Sequence, residues 1–407
     1  MHDFPKTTDV LVVGGGLLGA AAAYYLSKAG LDVVLCEKGN ICSGATGRQG
    51  GMVTQLDGRD SNVKPAVEKL QYAKANNRIL DVLQDELQFD FQYRRRGGLD
   101  IAFTDAEFEL LTRLYHLQKE AGDQEIELLD HQALKALCPA ISVEARGARY
   151  RPSDGSVNTF LLVHGLLRGA KAYGAKVYPN TPVIKVLLND HNEVQGAETA
   201  RGTISAPWLF NAAGAWAEEL EPVLDIAPVC STAAITEPIP PIHIQTFEAE
   251  LNGKVVYGHT QTARGNILLG ASLPRPRRRE DHFNNDLSLE EVRFTASVLS
   301  RMFPRLKNVN MLRMWAGTMG WSADCNPSVG PVPGKKGMIV AAAFPNGCAY
   351  GLILAKLAAE CIYLGAPSMS LEPFRVDRFP HRMDWPEVYD YSILGSFLAG
   401  GGKEAGR

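Results

Sequence analysis

The stretch DVLVVGGGLLG, residues 9–19, decides the fold of this chain. Its apolar run Val10–Val13 predicts a strand covered on both faces by helices, and the alanine-rich segment that follows has the composition of a helix. Between them, Gly14, Gly16 and Gly19 satisfy the spacing G-x-G-x-x-G, which permits a tight turn, close approach of a pyrophosphate and close packing of the helix. The helix N-terminus adds unpaired N–H donors and partial positive charge. The stretch therefore predicts a dinucleotide site.

An acidic residue supports this interpretation. Glu37 ends a second predicted strand, Val33–Cys36, about 20 residues after the glycines. Its carboxylate can accept hydrogen bonds from the ribose hydroxyls of an adenosine and would repel a 2'-phosphate, which argues against NADP. A glycine-rich turn without a ligand is the alternative for the glycine pattern alone, but the strand–turn–helix–strand context favours a bound dinucleotide.

Composition sets the outer limits of function. With 407 residues and 45% hydrophobic content, the chain can bury a large core in two domains or so. The net charge of -3 gives no support for nucleic-acid or anionic-membrane binding. No secretory signal precedes the first predicted strand and no apolar run is long enough to span a bilayer, so we expect a cytoplasmic protein without a transmembrane segment.

The seven cysteines are dispersed and contain no C-x-x-C pair. This pattern predicts reduced, mostly buried thiols rather than disulfides, and no metal or iron–sulfur site within this chain. Any such cluster would belong to another subunit.

A glycine-rich loop, GATGRQGG at residues 44–51, follows Glu37. It can lay backbone donors against phosphate and then against a planar ring, although an ordinary glycine-rich loop is the alternative. Together with the first strand–turn–helix and Glu37, it resembles the FAD-binding half of the D-amino-acid oxidase family, which includes glycine oxidase, sarcosine oxidase and several amino-acid dehydrogenase subunits.

Further motifs follow in the order of that family, so the resemblance extends from residue 9 to about 379. They are an adenine-side strand at 183–186, an apolar strand ending in A-A-G-x-W at 208–216, a W-x-G block at 313–331 and a turn into a closing helix at 345–351. The resemblance implies an α/β fold with a Rossmann-like FAD-binding domain and a discontinuous, antiparallel-sheet substrate domain of α+β type.

The resemblance also implies a division of the chain. The FAD-binding domain would comprise residues 1–85, 150–220 and 313–379, and the substrate domain residues 86–149 and 221–312. Residues 380–407 would form an extension, either a partner-docking tail or a disordered end. The closing helix is expected over residues 352–364.

The implied cofactor is noncovalent FAD, because Ala316 stands nearest to the position where sarcosine oxidase attaches its flavin through a cysteine. The start of the closing helix would stabilise negative charge near the flavin pyrimidine. The residues that the resemblance assigns to the cofactor are Gly14, Gly16, Leu18, Gly19, Glu37, Lys38, Ser43, Thr46, Gly47, Arg48, Gly50, Gly51, Val183, Ala213, Gly214, Trp216, Gly317, Asn346, Gly347, Tyr350 and Gly351.

The substrate end departs from the family. Single-chain members usually carry an arginine soon after W-x-G that pairs with the substrate carboxylate, whereas this chain has Thr318 and Met319 there. The candidate substrate contacts are therefore Arg48, Tyr257 and His259, or a residue not visible in sequence. For Tyr257 a core tyrosine is the alternative, and for His259 a structural or surface histidine.

The predicted function is FAD-dependent dehydrogenation of the C–N bond of a small amino acid or secondary amine, such as proline, hydroxyproline, sarcosine or an opine. The missing arginine favours a β-type subunit of a heteromeric dehydrogenase, with partner subunits that carry further redox centres and with room for FMN at a subunit boundary. The alternatives are a self-sufficient oxidase that produces hydrogen peroxide and a flavin-binding subunit with a structural or electron-relay role.

Overall fold

A computed structural model describes residues 4–54, 63–258, 261–273, 275–379 and 382–390. The helices in these ranges are α1 (Leu17–Lys28), α2 (Val63–Leu87), α3 (Asp105–Glu120), α4 (His131–Leu137), α5 (Thr159–Ala172), α6 (Leu289–Met302) and α7 (Gly347–Tyr363). The strands are β1 (Val10–Val13), β2 (Val33–Cys36), β3 (Met52–Val53), β4 (Gly98–Ala102), β5 (Glu127–Asp130), β6 (Gly147–Arg151), β7 (Gly155–Ser156), β8 (Lys176–Tyr178), β9 (Val183–Leu188), β10 (Val194–Thr199), β11 (Gly202–Ser205), β12 (Trp208–Asn211), β13 (Ala227–Thr236), β14 (Thr246–Glu250), β15 (Val255–Gly258), β16 (Leu268–Ser272), β17 (Arg277–Arg278), β18 (Met311–Trp321), β19 (Ser328–Pro331), β20 (Met338–Ala342) and β21 (Val388–Tyr389).

The first sheet is built around β1. Its order is β19-β20-β12-β1-β2-β8, and β1 pairs in parallel with both β12 and β2. Val10 and Val12 pack into a core with α1, α2, α5 and α7, while Leu11 and Val13 face a second core formed with the three-stranded sheet β9–β11. Both faces of the strand are therefore covered, which explains the unbroken apolar run in its sequence.

The second sheet has eight strands in the order β18-β13-β16-β15-β14-β4-β6-β5. All of its neighbouring pairs are antiparallel except β14 and β4, which are parallel. One face packs on α4 and α6 through residues such as Leu134 and Val298. The other face is free to form a wall of the candidate site. The expected α/β class, with one Rossmann-like sheet and one largely antiparallel sheet, is confirmed.

Two of the expected domain boundaries fall within strands of the second sheet, and the division into domains stays a prediction. The boundary at residue 313 falls within β18, which pairs with β13 from Trp321 opposite Ala227 to Met311 opposite Thr236. The boundary at residues 149 and 150 falls within β6, which pairs with β4. Both strands belong to the second sheet, because continuous ladder bonding, rather than the position of a motif, decides where a strand lies.

The closing helix begins earlier than expected. Helix α7 starts at Gly347 rather than at residue 352, so the glycine-containing turn is itself the first turn of the helix. Among the residues that the structure describes, every helix is too short or too polar to cross a bilayer. All seven cysteines lie within the described ranges, and none of them forms a disulfide bond there.

Part of the C-terminal extension packs on the chain itself. Strand β21 pairs with β17, and the ring of Tyr389 stacks on His282 with 4.6 Å between centroids. The indole Nε1 of Trp385 donates to Asp225 Oδ1 at 2.5 Å. The Tyr389 hydroxyl also donates to the carbonyl of Pro228 in β13, so residues 382–390 pack against the second sheet. Residues 380, 381 and 391–407 of the expected extension lie outside the described residues.

Candidate active site

A cavity of about 1110 Å³ lies between the two sheets and is lined by residues from both. Pockets for small ligands usually span about 300–1,000 Å³, so this one can hold a dinucleotide together with a small second molecule. Its walls include the turn after β1, the loop at residues 43–50, the inner face of the second sheet and the start of α7.

The turn after β1 requires its glycines. Gly14 has φ +109°, and a Cβ there would lie 2.4 Å from the carbonyl oxygen of Ala212. A Cβ at Gly19 would lie 1.9 Å from the carbonyl oxygen of Gly14, so this glycine lets α1 pack against the turn. The Leu17 N–H donates to Thr46 Oγ1 at 3.1 Å, which joins the start of α1 to the loop at residues 43–50. Gly16, Leu17 and Leu18 line the cavity, so the N-terminus of α1 lies at its wall, where a helix start can bind phosphate.

Glu37 is buried and its carboxylate is fixed by the protein. Oε2 accepts from the Gly15 N–H at 2.6 Å, and Oε1 accepts from the Gly39 N–H at 2.8 Å and from Ser43 Oγ at 3.3 Å. A carboxylate has about four acceptor positions, so these bonds orient Glu37 and leave capacity for a hydroxyl donor. Glu37 lines the cavity, as a ribose contact would.

Lys38 and Trp216 lie together at the same end. The Lys38 ammonium is 3.4 Å from the centroid of the Trp216 ring, a cation–π contact. Burial lowers the pKa of Lys38, against the opposing influence of Glu219 and Glu37. Val183 completes this region of the wall.

The side chain of Arg48 packs against β18 at Gly317, the glycine of the W-x-G motif. A Cβ at Gly317 would lie 2.7 Å from Arg48 Cβ, so the glycine makes room for the arginine stem. Trp315 Nε1 donates to the Arg48 carbonyl at 2.9 Å. The guanidinium donates to the carbonyls of Ser43 and Gly44, so it holds the loop in place.

Tyr257 lines the cavity on the second sheet, but its hydroxyl already forms hydrogen bonds within the protein. It donates to the carbonyl of Thr232 at 2.7 Å and lies 3.0 Å from Ser231 Oγ. A phenol has one proton, so this geometry leaves none to donate to a carboxylate. Burial raises the pKa of Tyr257 to about 12. His259, the other candidate named with Tyr257, lies outside the described residues.

The positions that replace the family arginine do not supply a cation. Thr318 Oγ1 donates to the carbonyl of His282 at 2.6 Å, and Met319 lines the cavity with an apolar side chain. Glu248, opposite Tyr257 across β14 and β15, also lines the cavity.

The start of α7 faces the cavity and is held by side chains from other elements. A Cβ at Gly347 would meet no atom within 4 Å, and Asn346 Nδ2 donates to Thr54 Oγ1 at 3.0 Å. The fully buried Asn76 of α2 donates from Nδ2 to the carbonyl of Cys348 at 2.9 Å. Its Oδ1 accepts from the Leu352 N–H at 3.0 Å and from the Ile353 N–H at 3.3 Å. Asn76 therefore fixes the first turns of α7.

Most of the expected cofactor residues line the cavity. They are Gly14, Gly16, Leu18, Glu37, Lys38, Ser43, Thr46, Arg48, Gly50, Val183, Ala213, Gly214, Trp216, Gly317, Asn346 and Gly347. The other five expected residues are not among the residues that line the cavity, namely Gly19, Gly47, Gly51, Tyr350 and Gly351. At Gly47 and Gly51 a Cβ would lie 2.1 Å from the carbonyls of Cys42 and Val157, so these glycines shape the backbone behind the surface.

Several lining residues were not found from the sequence. Gln49 lies in the GATGRQGG loop but was not among the expected cofactor residues. Thr54, Lys69, Ser231 and Glu248 belong to no motif, and only the fold brings them to the cavity. Within the described ranges, no group of three or more acidic, histidine or cysteine side chains is placed to hold a metal ion.

This chain is similar in sequence and in structure to known proteins. A family model described as "DAO: FAD dependent oxidoreductase" matches residues 9–361. The hydrogen cyanide synthase subunit HcnC of Pseudomonas protegens is 27% identical, covering 92% of this chain and 97% of the relative. The glycine oxidase of Geobacillus kaustophilus is 27% identical (91% and 97% covered), as is sarcosine oxidase subunit beta of Rhizobium meliloti (91% and 88%). The crystal structure of L-proline dehydrogenase from P. horikoshii has a TM-score of 0.83 at 26% identity, covering 93% of this chain and 99% of that one.

Proposed function

Because the chain belongs to the DAO family of FAD-dependent oxidoreductases, we propose that it dehydrogenates the C–N bond of a small amino acid or secondary amine. Its cofactor is FAD. The observation that carries the proposal is the continuous cavity, which joins a phosphate-binding turn at Gly14 to a second-sheet wall around Tyr257. One molecule could extend between these two regions with its reactive end under the second sheet.

The residues fit FAD at each part of the cavity. The turn at Gly14 and the N-terminus of α1 would hold the pyrophosphate, and Glu37 would accept the ribose hydroxyls. The open N-terminus of α7 at Gly347 would face the flavin ring. We propose that the lining residues named above bind FAD directly, and that Gly19, Gly47, Gly51, Tyr350 and Gly351 support them from behind.

When bound, FAD would supply the acceptor for a hydride from the carbon that bears the amine. The protein's contribution is to bind and orient the reactants. The second sheet would cover the reacting carbon. The N–H groups at the start of α7 would stabilise negative charge near the flavin pyrimidine. No side-chain acid–base pair is required for this step, since the substrate amine can bind in its neutral form. Hydrolysis of the product imine needs only water.

We propose a substrate with a secondary amine, of the proline, hydroxyproline, sarcosine or opine type. Support comes from the relative named sarcosine oxidase subunit beta and from the L-proline dehydrogenase structure, because sarcosine and proline are secondary amines. The neutral residues Thr318 and Met319 add support, because they set this site apart from those single-chain family members that have an arginine there.

Anaerobic mixing of the purified FAD-loaded protein with these amines tests the proposal. We expect at least one of them to bleach the flavin absorbance and to sustain turnover with an artificial electron acceptor. Failure of all of them to reduce the flavin would contradict the proposed oxidation and favour a structural or electron-relay role.

We further propose that the chain is the catalytic subunit of a heteromeric dehydrogenase whose partners carry additional redox centres, with FMN at a subunit boundary. Two of its relatives are themselves named as subunits. The mass and flavin content of the native assembly test this: we expect partner chains and both FAD and FMN. The cytoplasmic location expected from the sequence remains a prediction.

A self-sufficient oxidase is the second candidate, favoured by the similarity to glycine oxidase. The purified single chain distinguishes the two. Stoichiometric hydrogen peroxide from substrate and oxygen would establish an oxidase, and slow reoxidation of the reduced flavin in air would favour the dehydrogenase.

A further inference from the structure

We propose that Lys69 is the cation that binds the substrate carboxylate in this chain. The inference rests on the proposed oxidation of an amino acid and identifies a recognition residue that no sequence motif marks. Thr318 and Met319 stand where single-chain family members carry the arginine that pairs with the substrate carboxylate. Lys69 would supply the missing positive charge.

The cavity has three cationic side chains among its described lining residues, Lys38, Arg48 and Lys69. Lys38 stacks on Trp216 at the end where Glu37 lies. The Arg48 guanidinium donates to two carbonyls of its own loop. These contacts place Lys38 at the adenosine end and Arg48 in the loop at residues 43–50, whereas Lys69 reaches the cavity from α2.

The position of Lys69 follows from the packing of α2 against α7. Asn76 of α2 contacts Cys348 and Leu352 in the first turns of α7, and Glu86, further along α2, interacts electrostatically with Lys356. The two helices therefore run in the same direction. Lys69 lies seven residues before Asn76, about two turns or roughly 10 Å earlier, and so lies beyond the N-terminus of α7.

This is the part of the cavity where a substrate would meet the flavin ring. Thr54, which accepts the hydrogen bond from Asn346, also lines a small recess with Glu248, the residue opposite Tyr257. The start of α7, Thr54 and the second-sheet wall thus converge on one region.

Lys69 lines the cavity and is largely shielded from water. The residue is only 8% exposed, and a charge pair shielded from water interacts more strongly than one at the surface. An ammonium has three N–H donors, so a contact within the protein leaves donors for a ligand. The chemical class predicted for the ligand is a monocarboxylate with an amine on the adjacent carbon.

Ligand binding to the FAD-loaded protein tests the proposal without requiring turnover. The probes are pyrrole-2-carboxylate and its uncharged partner pyrrole-2-carboxamide, with dissociation constants read from the change in flavin absorbance. In Lys69→Met we expect the carboxylate to bind about 10- to 100-fold more weakly, as for loss of a charged hydrogen bond, and the carboxamide to be little affected. Lys69→Arg should retain most of the carboxylate affinity.

Lys74→Met is the matched control. Lys74 lies on the same helix but pairs with Asp123 and does not line the cavity, so its loss should change neither ligand. Equal weakening of both ligands in Lys69→Met, unchanged carboxylate binding, or a wild-type protein that binds neither probe would overturn the proposal. If Lys69 proves selective for the carboxylate while no amine reduces the flavin, the carboxylate site stands and the proposed oxidation is wrong.

Discussion

At the scale of single residues, Tyr257 shows how a side chain can line a site without being available to the ligand. Its hydroxyl bridges the Thr232 carbonyl and the Ser231 hydroxyl across three strands of the second sheet. We infer that its main contribution is to hold this wall in shape.

Replacement by phenylalanine tests that inference. At pH 7 we expect Tyr257→Phe to lower the free energy of unfolding by about 1–3 kcal/mol, because two buried hydrogen bonds are lost. The pKa of Tyr257 is raised to about 12 by burial, above the ordinary value near 10, so its contribution is fully present below pH 10 and is lost as pH rises toward 12. Chemical denaturation at pH 7, 10 and 11.5 should show the gap to wild type narrowing with pH. A gap that widens with pH would contradict this assignment.

Single residues also explain what the sequence left undecided. The conformations of Gly14 and Gly19 follow from one short motif, because local backbone crowding alone requires glycine there. Arg48 and Tyr257 were sound candidates by type. The Arg48 guanidinium, however, donates to carbonyls of its own loop, and the Tyr257 hydroxyl bonds to groups of β13, and neither pairing is visible in the sequence. Lys69 and Glu248 had no signal, since an isolated charge in a helix or strand is usually at the surface.

At the scale of elements, the Asn76 side chain takes the place of one backbone hydrogen bond in the first turns of α7. Its amide lies between the Cys348 carbonyl and the Leu352 N–H, the pair that a regular helix joins directly. This bridge sets the direction of the helix start that faces the cavity. The early start of α7 at Gly347 escaped sequence analysis because its support comes from α2, about 270 residues away.

Substitution by an apolar residue of similar size probes the bridge. We expect Asn76→Leu to lower the free energy of unfolding by about 3 kcal/mol and to weaken FAD binding, because three described hydrogen bonds are lost and α7 groups are left without Asn76 as partner. Asn77→Ala is the control: the neighbouring side chain is also buried but makes one described hydrogen bond, to Ser153, and should cost about 1 kcal/mol. Urea unfolding and FAD titration measure both quantities. Equal losses in the two variants would refute a special role for Asn76.

At the scale of the whole molecule, the cavity joins the two sheets. Its lining includes Gly14 and Ala341 from the first sheet and Ser231 and Tyr257 from the second. A cofactor that contacts both should stabilise them as one unit, because a ligand that binds only the folded state shifts the unfolding equilibrium.

Cofactor removal and partial replacement test this coupling. FAD at 100 times its dissociation constant should stabilise the protein by about 2.7 kcal/mol relative to the cofactor-free form. ADP carries only the adenosine and pyrophosphate, so at the same saturation it should protect β1 and α1 while leaving the second sheet less protected. Hydrogen exchange of the three forms measures this, and equal protection of the second sheet by ADP and FAD would contradict the proposed placement of the flavin ring.

The order of strands in the first sheet has a consequence for synthesis on the ribosome. Strand β1 ends at Val13, but its neighbour β12 begins at Trp208, and the helix that closes the cavity starts only at Gly347. At about 5–20 residues per second, the ribosome needs roughly 10–40 seconds to pass from β1 to β12. The nascent chain cannot form the complete cavity until α7 has been translated. FAD loading is therefore a late event in biogenesis, and a stalled or truncated translation product would lack the finished site.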